Sequence, residues 1–201
     1  MYSLSVYRKY LPDQLPVQPG ERLGEGNNGE VLSIVGDPAK VIKLSMFLST
    51  EDDQRRYIRI KKGLDYVVAN CPPAYVKVYE HGHLGSCPIG TPPCLHYIFY
   101  YYIMEKLQKI SEDERRLFHS ILSHEDRGLK KRFSLEKIRK MLGGMAKGLD
   151  FDAEKVMLFC ENIRAAPVIH EDTHGRNIMK NDDGDFRLID LDSISLLKQE
   201  K

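Results

Sequence analysis

Asp172 and Asn177 stand five residues apart, and Asp190 follows thirteen residues after Asn177, across Asn181-Asp182-Asp183-Gly184. That four-residue stretch is a strong hairpin signal. A carboxylate, a carboxamide and a second carboxylate in this order offer one acceptor for a hydroxyl proton and two oxygen ligands for magnesium. The flanks are strand-like, with Val168-Ile169 before His170-Glu171-Asp172-Thr173-His174-Gly175-Arg176-Asn177 and Leu188-Ile189 before Asp190-Leu191-Asp192. Acidic turns decorating a surface hairpin are the bland alternative, and the order of the residues within those flanks argues against it.

A second stretch is Gly24-Glu25-Gly26-Asn27-Asn28-Gly29-Glu30-Val31. Its glycines permit a tight strand-turn-strand whose backbone N–H groups can approach phosphate oxygens. Taken alone it is more simply a glycine-rich hairpin turn with no ligand. It falls between two predicted strands, which argues against a dinucleotide fold or a Walker loop, where a helix would follow. Fourteen residues after Gly29, Lys43 interrupts the apolar run Val41-Ile42-Lys43-Leu44. It is either an edge-strand lysine facing water or an ammonium that holds nucleotide phosphates, positioned by a carboxylate from the next helix.

These residues need elements to position them, and the hydrophobic period changes once along the chain. From residue 20 to 104 the pattern predicts strands over Arg22 to Glu25, Glu30 to Val35 and Val41 to Leu44, forming an antiparallel meander. A helix follows, with Ser49 or Thr50 as N-cap, Glu51 to Asp53 in its first turn and Tyr57, Ile60, Leu64 and Val67 on one face. Pro72 and Pro73 close it; two more strands, Tyr75 to Tyr79 and His96 to Met104, flank a loop rich in Gly and Pro. Beyond Glu105 the period is helical over Glu112 to Ser123, Ser134 to Gly148 and Asp152 to Ala165, the last burying Val156, Phe159, Cys160 and Ile163. Residues 124 to 133, six of them charged, read as a solvated connection, and Asn177 to Lys180 and Phe186 to Asp190 as a terminal hairpin. The class expected is α+β, in two lobes hinged near Met104 to Leu107.

The chain has 201 residues, with 30 Lys+Arg against 29 Asp+Glu, a formal charge of +1. No general basic or acidic field exists to recruit nucleic acid or an anionic membrane. The longest apolar run, Tyr97 to Met104, is eight residues, far below the roughly 20 that span a bilayer. No secretory signal is recognisable. Cys71, Cys87, Cys94 and Cys160 do not make a disulfide scaffold. The expectation is a cytoplasmic protein with free thiols, in the cell that makes it or one that receives it.

Other clusters have ordinary explanations. His81, His83, Cys87, Cys94 and His96 crowd one hairpin, but their spacing fits no common zinc module. Tyr97, Tyr100, Tyr101 and Tyr102 read as packing within a central strand rather than a base-stacking platform. Lys130-Lys131-Arg132 reads as a solvated turn, with a docking patch as the alternative. Tyr2, Leu4 and Val6 alternate as an added strand would.

Read together from Arg22 to Asp192, the motifs resemble those of the protein-kinase-like superfamily. The resemblance implies a two-lobed fold: an N-terminal extension over residues 1–19, an N-lobe over 20–104 with five antiparallel strands and one helix, and a reduced, mainly helical C-lobe over 105–201. It implies that Gly24, Gly26, Gly29 and Val31 form the phosphate-covering loop and Lys43 the strand lysine. Met104, Glu105 and Leu107 would then lie in the hinge that reads adenine, with Asp172 as catalytic base and Asn177 and Asp190 as metal ligands. The helix carboxylate that pairs with Lys43 would be Asp53, which shares a face with Tyr57 and Ile60, with Glu51 and Asp52 as alternatives. ATP and Mg²⁺ are the implied cofactors.

His174 follows the base by two residues, where eukaryotic-type Ser/Thr kinases usually have Lys, and Asp190-Leu191-Asp192 replaces Asp-Phe-Gly. Both features are similar to aminoglycoside and choline phosphotransferases. Only eleven residues follow Asp190, with no activation segment or Ala-Pro-Glu motif, which resembles short bacterial effector kinases that depend on a host partner. A protein hydroxyl is therefore the expected acceptor, a partner protein is expected, and neither nucleic acid nor membrane is. A small-molecule acceptor is the first alternative, and a kinase-fold binding module with little catalysis is the second.

Overall fold

Apolar strand patterns in the first half of the chain pair into one antiparallel sheet in the computed structural model, which describes residues 15–26, 29–49, 54–89, 95–123, 134–145 and 151–197. The described chain divides into two compact units. One takes in the described residues of Met1–Ala69 and Lys77–Lys106, the other those of Asn70–Val76 and Leu107–Lys201.

The first unit holds β1 (Pro19–Gly26), β2 (Gly29–Ile34), β3 (Asp37–Ser49), β4 (Val78–Ile89) and β5 (Leu95–Glu105), in the order β1-β2-β3-β5-β4. Helix α1 (Gln54–Asn70) enters the chain between β3 and β4. Both faces of the central strands are buried, which explains why β3 and β5 read as continuous apolar runs rather than alternating ones. Leu32, Ile34, Ile42, Leu44, Met46, Leu84, Phe99, Tyr101 and Ile103 form a core cluster on one face, with Leu15 and Val17 packed against it. On the other face, Tyr57 of α1 meets the rings of Phe47 and Tyr100 at 6.5 and 5.9 Å. Tyr100 and Tyr102 are fully buried, as strand packing requires. The Tyr101 hydroxyl donates to Glu80 Oε1 at 2.5 Å.

Two strands differ from the sequence reading. β3 runs on to Ser49 because it stays in register with β5 as far as the Ser49–His96 pair, so Ser49 is a strand residue and not a helix cap. Thr50, Glu51, Asp52 and Asp53 lie outside the described residues, as do Asn27, Asn28, Tyr2, Leu4, Val6, Cys94 and residues 124–133. The larger correction is β4. It begins at Val78 rather than Tyr75 and continues through the Gly- and Pro-containing stretch read as a loop. Pairing with the apolar β5 overrides weak local propensity, and register shifts at Val78/Glu80 and His83/Gly85 absorb the irregular residues. Within this strand His81 Nε2 lies 2.9 Å from Asp65 Oδ1, and the His83 ring packs 5.2 Å from that of Tyr57.

The second unit contains β6 (Gln108–Lys109), α2 (Glu112–Ser123), α3 (Leu135–Met145), α4 (Ala153–Ala165), β7 (Val168–His170), β8 (Ile178–Lys180), β9 (Phe186–Leu188) and β10 (Ile194–Leu196). It is less purely helical than expected: β6, β8 and β9 form one small sheet, and β7 pairs with β10 in another. Tyr75, read as a strand residue of the first unit, instead bridges Leu188 here. Ser111 and Glu114 open α2 with a capping box, the Ser111 N–H donating to Glu114 Oε2 at 2.9 Å and the Glu114 N–H to Ser111 Oγ at 3.2 Å. Asp152 caps α4, accepting from the N–H groups of Glu154 and Lys155 at 3.0 Å each. Val156, Phe159 and Cys160 of α4 are buried while Ile163 is only half-buried, so the buried stripe is one residue shorter than expected. Phe118 of α2, Phe159 of α4 and Phe186 of β9 meet edge-on, at 5.3, 4.8 and 6.0 Å, and dock the β8–β9 hairpin on the helices.

Candidate active site

The loop from His170 to Asn177 starts where β7 ends and closes on itself. The Glu171 N–H donates to Ser193 O at 2.7 Å, next to the β7–β10 pairing of His170 with Ile194. Thr173 Oγ1 donates to His170 O at 2.7 Å. Gly175, Arg176 and Asn177 then make one 3-10 turn, which the His174 ring caps by accepting the Arg176 N–H at Nδ1, 3.2 Å. Gly175 sits so close to α2 that a Cβ there would lie 2.7 Å from the Arg115 carbonyl oxygen. The glycine is what lets the loop rest on the helix backbone.

Asn177 fastens the turn. Its Nδ2 donates to Asp172 O at 2.9 Å and lies 3.4 Å from Asp172 Oδ2. Facing two oxygens, that end of the amide must be the nitrogen, so the side-chain orientation is determined and Oδ1 points the other way. Asn177 is 7% exposed, whereas the Asp172 side chain is 58% exposed. The carboxylate is thus open to solvent on a buried anchor.

The hairpin brings the third residue to the same place. Ile178 pairs with Leu188 across β8 and β9, and the turn closes through the Gly184 N–H to Asn181 O at 3.0 Å and the Asp185 N–H to Asn181 Oδ1 at 2.7 Å. The Ile189 N–H donates to Asn177 O at 2.8 Å, which sets Asp190 one residue beyond the backbone partner of Asn177. Contrary to expectation, the strand stops at Leu188: Asp190 has φ 61° and ψ 57°, in the left-handed region, and turns the chain out of the ladder. His170 locks this corner from the other side, its Nε2 lying 2.8 Å from Ile189 O. Since Nε2 faces a carbonyl it carries the proton, and Nδ1 is buried with no hydrogen-bond partner. Burial pushes the His170 pKa below its usual value, and the bond to Ile189 with the nearby charges of Asp190 and Asp172 opposes that only in part.

In the first unit, Lys43 is 7% exposed and its Nζ lies 5.6 Å from the centroid of Tyr102, its register partner. It shares the α1 face of β3 with Phe47, four residues on. It is therefore not the water-facing edge lysine that the sequence also allowed, since β3 lies inside the sheet. The carboxylates named as its partner, Asp53, Glu51 and Asp52, are outside the described residues. Val31 pairs with Lys43 across β2 and β3. Gly29 is pressed against the β3 backbone, where a Cβ would run into the Leu44 carbonyl. Gly24 and Gly26 differ, since a Cβ at either would meet no described atom within 4 Å. The fold needs Gly29 for its own packing, and makes no such demand at Gly24 and Gly26. Met104 is buried at the end of β5; the Glu105 N–H donates to Lys77 O at 3.0 Å and its Oε1 accepts the Lys77 N–H at 2.8 Å, while Leu107, the next residue but one, is half-buried.

Sequence reasoning passed over His170 and Gly175. A histidine closing the apolar pair Val168-Ile169 two residues before Asp172, and a glycine amid polar loop residues, were the available signals.

The donor set suits a hard divalent cation. Asn177 Oδ1 and the Asp190 carboxylate are the oxygen donors that could serve as ligands, since Asp190 follows Ile189, whose N–H bonds Asn177 O, and Mg²⁺ characteristically takes one or two protein oxygens and completes its shell from phosphates and water. Among the described residues no group of three or more His, Cys, Asp and Glu is placed to hold a metal ion, and no helix is long and apolar enough to cross a membrane.

No family model matches the chain, and no curated protein does. Among solved structures, a co-crystal structure of WbdD and the kinase inhibitor LY294002 is similar at 15% sequence identity and a TM-score of 0.42, over 91% of this chain and 34% of that one. This chain thus spans about a third of that protein's length, and at that distance the likeness fixes neither fold nor chemistry.

Proposed function

We propose that this protein is an ATP-dependent phosphotransferase of protein-kinase-like fold, moving the γ-phosphoryl group to a hydroxyl, with serine or threonine of a protein as acceptor. The observation that carries the reading is the Asp172–Asn177–Asp190 corner. It offers one exposed carboxylate, an amide whose oxygen is turned away from Asp172, and a second carboxylate on the residue after Ile189, whose N–H bonds Asn177 O. The sheet order with α1 between β3 and β4, and a buried lysine on the α1 face, support it. In this reading residues 20–104 are the N-lobe and 105–201 the reduced C-lobe.

Asn177 and Asp190 would hold Mg²⁺, which when bound neutralises phosphate charge. Gly24, Gly26, Gly29 and Val31 cover the phosphates, Lys43 pairs with them, and Met104 to Leu107 contact the base. Asp172 orients the acceptor hydroxyl and takes its proton. Little covalent chemistry is asked of the chain, so positioning and charge account for the rate. An acceptor or activating partner protein, and a cytoplasmic setting, belong to the same reading. His174 and Asp190-Leu191-Asp192, both similar to the loops of aminoglycoside and choline phosphotransferases, favour a second reading, a small-molecule acceptor of that kind.

Incubation with labelled ATP, Mg²⁺ and either a cell lysate or a panel of aminoglycosides and amino alcohols separates the two. Label on polypeptide bands supports the first, and label on a small alcohol the second. No transfer to any acceptor, together with no Mg²⁺-dependent ATP shift in a thermal melt, rejects both.

A further inference from the structure

His174 and Asn177 converge on the same oxygen of Asp172. The His174 Nδ1 accepts the Arg176 N–H at 3.2 Å, so the ring proton resides on Nε2. That Nε2 lies 3.5 Å from Asp172 Oδ2, the oxygen that Asn177 Nδ2 approaches at 3.4 Å. Among the described residues Oδ1 has no hydrogen bond. Contacts of this length in a ligand-free site tighten when the reacting groups are bound.

We propose that His174 is a positioning residue for Asp172: with Asn177 it holds Oδ2, so that Oδ1 is the oxygen presented to the acceptor hydroxyl. This rests on the phosphotransfer reading above. The acceptor O–H bond breaks toward Oδ1, the acceptor oxygen bonds the γ-phosphorus, and the β,γ-bridging oxygen leaves with ADP. The 3-10 turn serves a purpose here, because capping by Nδ1 is what fixes the tautomer that aims a donor at Asp172.

The test compares wild type, His174→Ala and His174→Gln in steady-state transfer from MgATP, with thermal melts to confirm folding. The glutamine amide can place an N–H where the imidazole Nε2 stands. His174→Ala should lower kcat roughly ten- to a hundredfold, the cost of a misplaced reacting group, with KM for MgATP unchanged, and His174→Gln should recover most of it. Equal loss in both variants, or no loss in His174→Ala, overturns the proposal. Nitrogen-15 spectra of the ring need no turnover: they should show the Nε2-protonated tautomer at neutral pH and a displaced Nε2 resonance in Asp172→Asn, and an Nδ1-protonated ring overturns the proposal. A wild type that shows the expected ring spectra but never turns over MgATP instead sinks the phosphotransfer reading, and the catalytic role of His174 with it.

Discussion

Asn177 braces the loop chiefly through the Asp172 backbone: the shorter of its two bonds, 2.9 Å, goes to the carbonyl, and the longer, 3.4 Å, steadies carboxylate oxygen Oδ2 and leaves Oδ1 open. The loop is therefore braced without consuming the side chain that reaches solvent. Asp172→Asn should consequently leave the melting temperature close to wild type while removing phosphotransfer, and Asn177→Ala should lower both. Parallel melts and radiolabel assays check this; a strongly destabilised Asp172→Asn would mean that the carboxylate braces the loop.

Asp190 occupies the left-handed region that costs a side-chain-bearing residue energy. Both Asp190→Ala and Asp190→Gly should abolish the Mg²⁺-dependent ATP shift in a thermal melt. They should differ in stability, the glycine variant exceeding the alanine variant by about 1 kcal/mol. Equal denaturant midpoints would show that the turn relaxes freely.

The glycines at the facing ends of β1 and β2 should separate packing from nucleotide contact. Gly29→Ala should destabilise by about 1–3 kcal/mol, because the Leu44 carbonyl is backbone and cannot move aside. Gly24→Ala should be close to neutral in the absence of nucleotide, yet weaken MgATP binding measured by calorimetry. Unaltered MgATP affinity in Gly24→Ala would remove this loop from the phosphates.

Burial holds His170 neutral in the folded protein, while the unfolded chain protonates it near pH 6.5. Because the unfolded state binds the extra proton, this contribution is fully present above that pH and declines as the pH falls toward the folded-state value, by up to about 1.4 kcal/mol per pH unit. A proton arriving at Nδ1 would find no acceptor. Urea titrations across this range should show a shallower decline for His170→Gln than for wild type; superimposable slopes would place the ring in contact with water.

Cysteine reactivity should follow burial. Cys71 is exposed and Cys160 buried, and burial, aided by the charge of Glu161, pushes the Cys160 thiol up to about 12. Alkylation at neutral pH should label Cys71 at once and Cys160 only on unfolding, which peptide mass spectrometry can follow. Early labelling of Cys160 would contradict the packing of α4.

What could be read beforehand divides along the range of the interactions. β1, β2 and the centre of β3 announce themselves through local turn residues and apolar runs, as α2 and α4 do through their period. β4 was hidden because Gly82, Gly85 and Pro88 argue locally against a strand, and only pairing with the neighbouring apolar β5 makes one of them. β10 was missed for the same reason: Ile194–Leu196 has three residues and no signal apart from its partner β7. At the candidate site the spacing of Asp172, Asn177 and Asp190 was plain, being local to one loop and one hairpin. The left-handed turn at Asp190 was not, since nothing about an aspartate after Leu-Ile declares a positive φ.

The segment Asn70–Val76 has a consequence for how the chain can be dissected. It leaves the sheet unit and lies against β9, with the Val76 N–H on Leu188 O at 2.9 Å, the Leu188 N–H on Ala74 O at 2.7 Å and the Tyr75 hydroxyl on Val168 O at 3.0 Å. A nascent chain that has reached Lys106 thus carries Tyr75 and Val76, nearly inaccessible in the finished protein, with nothing yet to cover them. Severing the polypeptide after Lys106 would leave them uncovered in the first fragment until the second docks, so coexpressed halves should reassociate rather than persist as independent soluble pieces.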